Sequence, residues 1–260
     1  MSEIIEQLVR GAHVTAWQPA AAAHPVLFSS SIAESSATRA WRGGVPICAP
    51  WFATGPDGSR SPSHGPARTA VWQVLEAPAG QTRHRLVVDT DAAGRAAQIE
   101  LEFATARDGA SLEVALTARN LGDAEALVEA ALHSYFAVSD VTAIEVRGLE
   151  QAPFFDKVAG APAPAAARIE FGGLVDRIYE SVDAPIEIVD AGWSRTLRIE
   201  REGAAQAVVW NCGPDAAPGD LGPGEWRGFV CVEAAMLGDA AVTLAPEATH
   251  RLVSRVTVVS

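Results

Sequence analysis

The chain has 260 residues, of which 48% are apolar and 20% charged, with a formal net charge of −12 at pH 7. This is the make-up of a globular protein able to bury a large core, and it excludes an intrinsically disordered chain. It also argues against a nucleic-acid partner, since such binding neutralises phosphates with clustered Lys and Arg, whereas Lys157 is the single lysine and no basic run exists.

Period-2 alternation is the dominant pattern along the chain, and it predicts strands. In chain order these are AVWQVLE (70–76), RLVVDT (85–90), QIELEF with Ile99, Leu101 and Phe103 on one face, and SLEVALTA with Leu112, Val114 and Leu116 on one face. ALVEAALHSYF (126–136), IEVRGL (144–149), IEIVD (186–190), TLRIE (196–200), AVVWN (207–211), GFVCVE (228–233) and RLVSRVTVV (251–259) follow. Asp108-Gly109 is a tight-turn dipeptide suited to a hairpin, and Gly94 and Gly203 stand similarly between alternating runs, so the chain reads as a meander. AGAPAPAAAR (159–168) reads as a surface loop. No amphipathic helix of 12 or more residues interrupts the strands. So many strands must split into packed layers, which predicts an all-β fold, a large antiparallel β-sandwich forming one domain over 1–260.

Cys48, Cys212 and Cys231 form no C-x-x-C pair, and their odd number fits reduced thiols and a cytoplasmic protein. The start, MSEIIEQLVRGA, lacks the basic and apolar regions of a signal peptide. No stretch approaches the ~20 apolar residues of a membrane helix, so a soluble protein without a membrane partner is expected.

Three islands carry groups that can move a proton: SPSHGPAR with His64, ALHSYF with His133 and FVCVEAA with Glu233. Alternation puts Glu129, Ala131, His133 and Tyr135 on one face of their strand and Val128, Ala130 and Leu132 on the other. His133 fits either a hydrogen-bonded histidine of a sheet or an acid/base group. Glu233 shares a face with Phe229 and Cys231, and a carboxylate among apolar neighbours is either ion-paired or raised in pKa, the latter suiting a general base. His64 and Arg68 lie on a loop stiffened by Pro62, Gly65 and Pro66, a frequent setting for binding groups as well as for ordinary turns. In Arg42-Gly43-Gly44 the glycines let backbone approach a ligand and the guanidinium offers a forked anion contact. Trp41, Trp51 and Trp226 could instead stack on sugar faces in a binding protein without catalysis. Motifs for zinc, nucleotide phosphates, dinucleotides and the hydrolase elbow are absent from the sequence.

The order RGGVPICAPWF, SPSHGPAR, ALHSYFAVSDV, IEVRGLE, FFDKV, VDRIYE, VVWN and GFVCVEAA resembles that of the hexose-6-phosphate mutarotases, or glucose-6-phosphate 1-epimerases, within the aldose 1-epimerase superfamily. The match spans roughly residues 10–235. What it implies is a galactose-mutarotase-like sandwich, needing no cofactor and no metal, that interconverts the α and β anomers of a small-molecule sugar phosphate; a monomer is the expected state. By the same resemblance His133 is the general acid at the ring oxygen, Glu233 the base at the anomeric hydroxyl and His64 the second imidazole. Asp176 orients sugar hydroxyls, and Arg42 and Arg68 clamp the phosphate. The family pattern has Phe where Pro66 stands and Pro-Trp where Cys212-Gly213 stands, so these changes bear most on phosphate recognition. An unphosphorylated aldose is the alternative substrate.

Overall fold

The computed structural model describes residues 2–92 and 95–259, with side chains outside 91–96. Gly94 lies outside the described residues. Two eight-stranded antiparallel sheets dominate. In one, the order is Glu145–Arg147, Ile186–Asp190, Arg195–Glu202, Thr249–Val259, Ser111–Asn120, Arg95–Asp108, Gln81–Ala92 and Gln73–Leu75. In the other it is Ala161–Ala163, Phe154–Asp156, Val175–Glu180, Gln206–Asn211, Phe229–Met236, Ala130–Leu132 and Ile47–Cys48, with Tyr135–Ala137 also paired to Phe229–Met236. Single-turn 3₁₀ segments are the helical structure among the described residues.

Alternation explains the first sheet. Ile99, Leu101, Phe103, Leu112, Val114 and Leu116 are buried in the main core, while Glu100, Glu102 and Glu113 face outward and pair with Arg85, Arg83 and the two arginines Arg251 and Arg255. Removing apolar area from water at ~25 cal/mol per Å² drives this face inward. Arg95–Asp108 and Ser111–Asn120 form the expected hairpin, with Gly109 at φ +57 in its two-residue turn. Gly203 does otherwise: it links Arg195–Glu202 in one sheet to Gln206–Asn211 in the other. A Cβ there would overlap the Arg251 carbonyl, so the glycine marks a crossover between sheets and not a hairpin.

The second sheet is covered on both faces. Ala130, Leu132, Val209, Val230, Val232 and Ala234 join the main core, while Ala131, Val208 and Ala235 pack with Cys48, Phe52 and Leu237 on the opposite face. Phe229–Met236 is buried along its whole length, which is why it reads as a nearly unbroken apolar run. The 159–168 segment is not wholly loop, because Ala161–Ala163 forms the outermost strand, pairing on one side only. Pro162 is tolerated there because an edge strand can spare an N–H.

Candidate active site

The run ALVEAALHSYF forms three short strands and not one, at Ala126–Val128, Ala130–Leu132 and Tyr135–Ala137. The last two pair with Phe229–Met236 in a single register, Leu132 opposite Ala234 and Tyr135 opposite Cys231. Continued across the gap, that register sets His133 opposite Glu233. The ladder breaks because the His133 N–H donates to the Pro46 carbonyl (3.0 Å) and the Ser134 N–H to the Leu132 carbonyl (2.9 Å). On the other side of Phe229–Met236, Glu233 stands opposite Val208 and Cys231 opposite Trp210, and Trp210 in turn opposite Asp176. Since side chains alternate along each strand, His133, Tyr135, Glu233, Trp210 and Asp176 emerge on one face, away from the main core.

That face floors a cavity of about 400 Å³ whose lining includes all six side chains singled out from the sequence: Arg42, His64, Arg68, His133, Asp176 and Glu233. His133 Nδ1 lies 3.4 Å from Glu233 Oε1, with the carboxyl 1% exposed. Neither Nδ1 nor the other carboxyl oxygen, Oε2, has a hydrogen-bond partner in the protein. Buried polar atoms are ordinarily paired, and these two orphans lie side by side on a cavity floor, where they are open to a ligand. Burial pushes Glu233 well above the ordinary carboxyl range, and the Asp176 charge adds to that while Lys157 opposes it. Burial likewise pushes His133 well below 6.5, assisted by the charges of His64, Arg42 and Arg68. The His133 ring stacks on Tyr135 with centroids 4.9 Å apart and meets Trp210 edge-on.

His64 enters from the stiff loop at φ +65. Its Nδ1 accepts the Ala53 N–H at 3.4 Å, which leaves the ring proton on Nε2. Burial and the charges of Arg68, Lys157 and Arg42 lower it to about 3, so His64 offers a neutral N–H donor. Gly65 is required because a Cβ would overlap the Ala49 carbonyl. The Pro66 carbonyl accepts the N–H groups of Thr69 and Ala70 (both 3.0 Å). This turn keeps Arg68 on the cleft, where Nη2 donates to the Ser63 carbonyl (2.8 Å); Arg68 has no carboxylate partner among the described residues.

Arg42 is differently placed. Its Nε and Nη2 fork onto Asp220 at 2.8 and 3.2 Å, and Nη1 donates to the Tyr135 hydroxyl at 2.8 Å. The two glycines after it approach protein and not ligand: a Cβ on Gly43 would meet the Phe28 carbonyl, and one on Gly44 the Val14 carbonyl. Gly213 is held the same way against Gly173. Asp176 is raised by burial against the opposing pull of Lys157, whose Nζ lies 3.1 Å away. Of the three tryptophans noted in the sequence, Trp41 lines the cavity, whereas Trp51 and Trp226 do not. Tyr135, Trp210, Lys157 and Asp220 were missed. The first two lie inside islands already marked, and Lys157 stood out as the lone lysine. Asp220 sits in a Gly- and Pro-rich stretch with no local signal.

The two-sheet antiparallel sandwich is the architecture of the galactose-mutarotase-like proteins. The sequence profile of the aldose 1-epimerase family matches residues 5–257, and the chain belongs to that family of isomerases. A Salmonella typhimurium protein that carries the provisional name glucose-6-phosphate 1-epimerase is 31% identical over 234 residues, covering 86% of this chain and 77% of the relative. The crystal structure of a protein of that bacterium, provisionally described as a mutarotase, superposes with a TM-score of 0.83 at 28% identity, over 98% of this chain and 87% of the other. A galactose mutarotase related enzyme from Lactobacillus acidophilus shares the fold, with a TM-score of 0.76 at 12% identity, over 99% and 95% of the two chains.

Proposed function

We propose that the chain interconverts the α and β anomers of hexose 6-phosphates. The observation that carries anomer exchange is the facing, unpartnered pair His133 and Glu233 on the cavity floor, and Arg68 on the cavity wall supports a phosphorylated sugar. Glu233 as carboxylate takes the proton of the anomeric hydroxyl, C1–O1 becomes a carbonyl, the C1–ring oxygen bond breaks, and the ring oxygen takes a proton from imidazolium His133. Rotation about C1–C2 turns the other carbonyl face to the hydroxyl. Closure then returns one proton to His133 and delivers the other from Glu233 to O1. The pair therefore carries one proton throughout, on His133 before opening and on Glu233 after it, and its net charge never changes. Burial favours the uncharged arrangement, Glu233 protonated and His133 neutral, so the ion-paired form that opens the ring is the minor one, and no group beyond the chain and the sugar enters the steps.

His64 Nε2–H and Asp176 then orient sugar hydroxyls, and Arg68 and Arg42 receive the phosphoryl group. The three free, buried cysteines support a cytoplasmic setting. No helix of the described residues is long and apolar enough to cross a membrane. The proposal extends to a monomer of one domain over 1–260.

One observation favours a second reading, an unphosphorylated aldose as substrate: the Arg42 fork is already occupied by Asp220, which places a carboxylate where the phosphoryl group would bind. Exchange NMR on glucose 6-phosphate and glucose decides between them. Acceleration of the phosphorylated sugar, abolished by His133→Ala, is expected. Exchange at the buffer rate for every phosphorylated hexose overturns the proposal.

A further inference from the structure

Lys157, the chain's single lysine, is tied to one residue through both its backbone and its side chain. Its N–H donates to the Asp176 carbonyl (2.9 Å), and its Nζ lies 3.1 Å from Asp176 Oδ2 and 5.4 Å from the centroid of the Phe52 ring. The ammonium lines the same cavity as His133 and Glu233. Asp176 and Glu233 share a face of the sheet and are separated by one strand, opposite Trp210 and Val208 respectively. Two carboxylates in one cavity disfavour each other's ionisation.

We propose that Lys157 is a positioning residue for the proton transfer: as the counter-ion of Asp176 it shields Glu233 from a second carboxylate, and so sets how often the pair's proton rests on His133. This rests on the reading of His133 and Glu233 as the acid–base pair. The other titratable or charged groups around Glu233 are Cys231 on its own strand, Cys48 on the Ile47–Cys48 strand, His133 and Tyr135 on the facing segment, and His64, Arg39, Arg42, Arg68 and Asp220 above the floor. Asp156 adds its charge to Asp176. Beyond burial, the Asp176 charge raises Glu233 and the Lys157 charge lowers it.

The consequence has a distinctive pH signature. While the pair holds one proton, removing Lys157 raises the proton affinity of Glu233 and makes the productive arrangement, carboxylate with imidazolium, rarer by the same factor. Above that range Glu233 is ionised in either protein, and the productive fraction depends on His133 alone. The loss therefore fades at alkaline pH.

The experiment measures kcat/KM for anomer exchange against pH in wild type, Lys157→Met and Lys157→Arg, with glucose 6-phosphate and with glucose. Charges about two strand spacings, roughly 10 Å, apart shift one another by about one unit at an effective dielectric of ~20. Lys157→Met should therefore fall about tenfold on the plateau, with its alkaline limb about one pH unit higher and its curve rejoining wild type above it. Both sugars should show this, and Lys157→Arg should stay near wild type. An equal fractional loss at every pH overturns the proposal, as does a loss confined to the phosphorylated sugar, which would make Lys157 a phosphate ligand. A second readout needs no substrate: the carboxylic C=O stretch of Glu233, assigned by its absence in Glu233→Gln, followed by infrared titration of the unliganded protein. Persistence of that band to higher pH in Lys157→Met supports the electrostatic role even if no sugar exchanges, in which case the functional reading alone fails. An unshifted band overturns the role.

Discussion

Glu233→Gln separates what this carboxyl does for the reaction from what it costs the fold. Glutamine keeps the shape and the strand pairing but cannot take the anomeric proton. General acid–base groups contribute typically ~10²–10⁴-fold, so exchange should fall by about that factor. Stability should move the other way. Burial holds the folded carboxyl protonated well above its ordinary 4.5, whereas the unfolded chain releases that proton as pH rises past the ordinary value. The unfolded state then binds fewer protons than the native one, so stability falls with rising pH until the folded group ionises as well. The slope is about 1.4 kcal/mol per pH unit, which by about pH 7 amounts to at most about 3 to 4 kcal/mol. An amide has nothing to ionise and recovers most of this.

His133 has the opposite slope. Its folded pKa lies well below 6.5, so it costs stability as pH falls below the unfolded value and nothing above it. Because both proteins carry His133, the difference between their denaturant midpoints reports Glu233 together with its coupling to His133. That difference, measured in urea at about pH 5 and about pH 7, should grow with pH in favour of the variant. Undiminished exchange in Glu233→Gln would remove the residue from the chemistry. A stability difference independent of pH would mean an ionised carboxyl in the fold, and the argument from burial would be wrong.

Arg68→Gln should slow exchange of glucose 6-phosphate by about tenfold or more and leave glucose nearly unchanged, since a charge-assisted contact is worth ~1.5–3 kcal/mol; parallel NMR rates check this. Asp220→Asn should free the Arg42 fork and lower KM for the phosphorylated sugar, if that fork meets the phosphoryl group; a raised KM would make Asp220 the residue that holds Arg42 in place. Long-range ¹H–¹⁵N spectra of His64 should show a neutral ring protonated on Nε2 across the range from about pH 5 to about pH 8, given its lowering to about 3 by burial and neighbouring cations. Gly44→Ala should destabilise by several kcal/mol, because its Cβ would collide with the Val14 carbonyl at a positive φ; a single calorimetric transition, shifted down as a whole, would also match one domain.

How much of this was legible depended on whether the signal was local. Ile99, Leu101 and Phe103 announce their strand because one face meets core and the other water, and Asp108-Gly109 announces a hairpin because the turn needs a positive φ that glycine supplies. His133 and Glu233 could be assigned to faces from alternation alone. That ALVEAALHSYF would break into three strands could not, because the breaks at Glu129 and His133 are made by acceptors far away in sequence, the carbonyls of Pro50 and Pro46. Gly203 looks locally like Gly109, yet one links two sheets and the other turns a hairpin, a difference set by the Arg251 backbone packed against it. The Arg42–Asp220 pair spans 178 residues and left no trace in either segment. A guanidinium looks free in a sequence whether or not a distant carboxylate has taken it.

The placement of the acid and base follows from strand register more than from any loop. Phe229–Met236 presents Val230, Val232 and Ala234 to the main core and Cys231, Glu233 and Ala235 to the opposite face. A slip of one residue would drive the Glu233 carboxyl into the core and withdraw it from His133. The cost of an unpaired carboxyl in the core is several kcal/mol, so the wrong register is penalised by the same side chain that the right one uses. The break at His133 and Ser134 then supplies what a regular ladder would not. It turns the His133 N–H to Pro46 while leaving Leu132 and Tyr135 in phase with Ala234 and Cys231. The imidazole is therefore held across from the carboxyl at 3.4 Å without a closed hydrogen bond between them, a spacing that leaves both groups able to exchange protons with a third molecule.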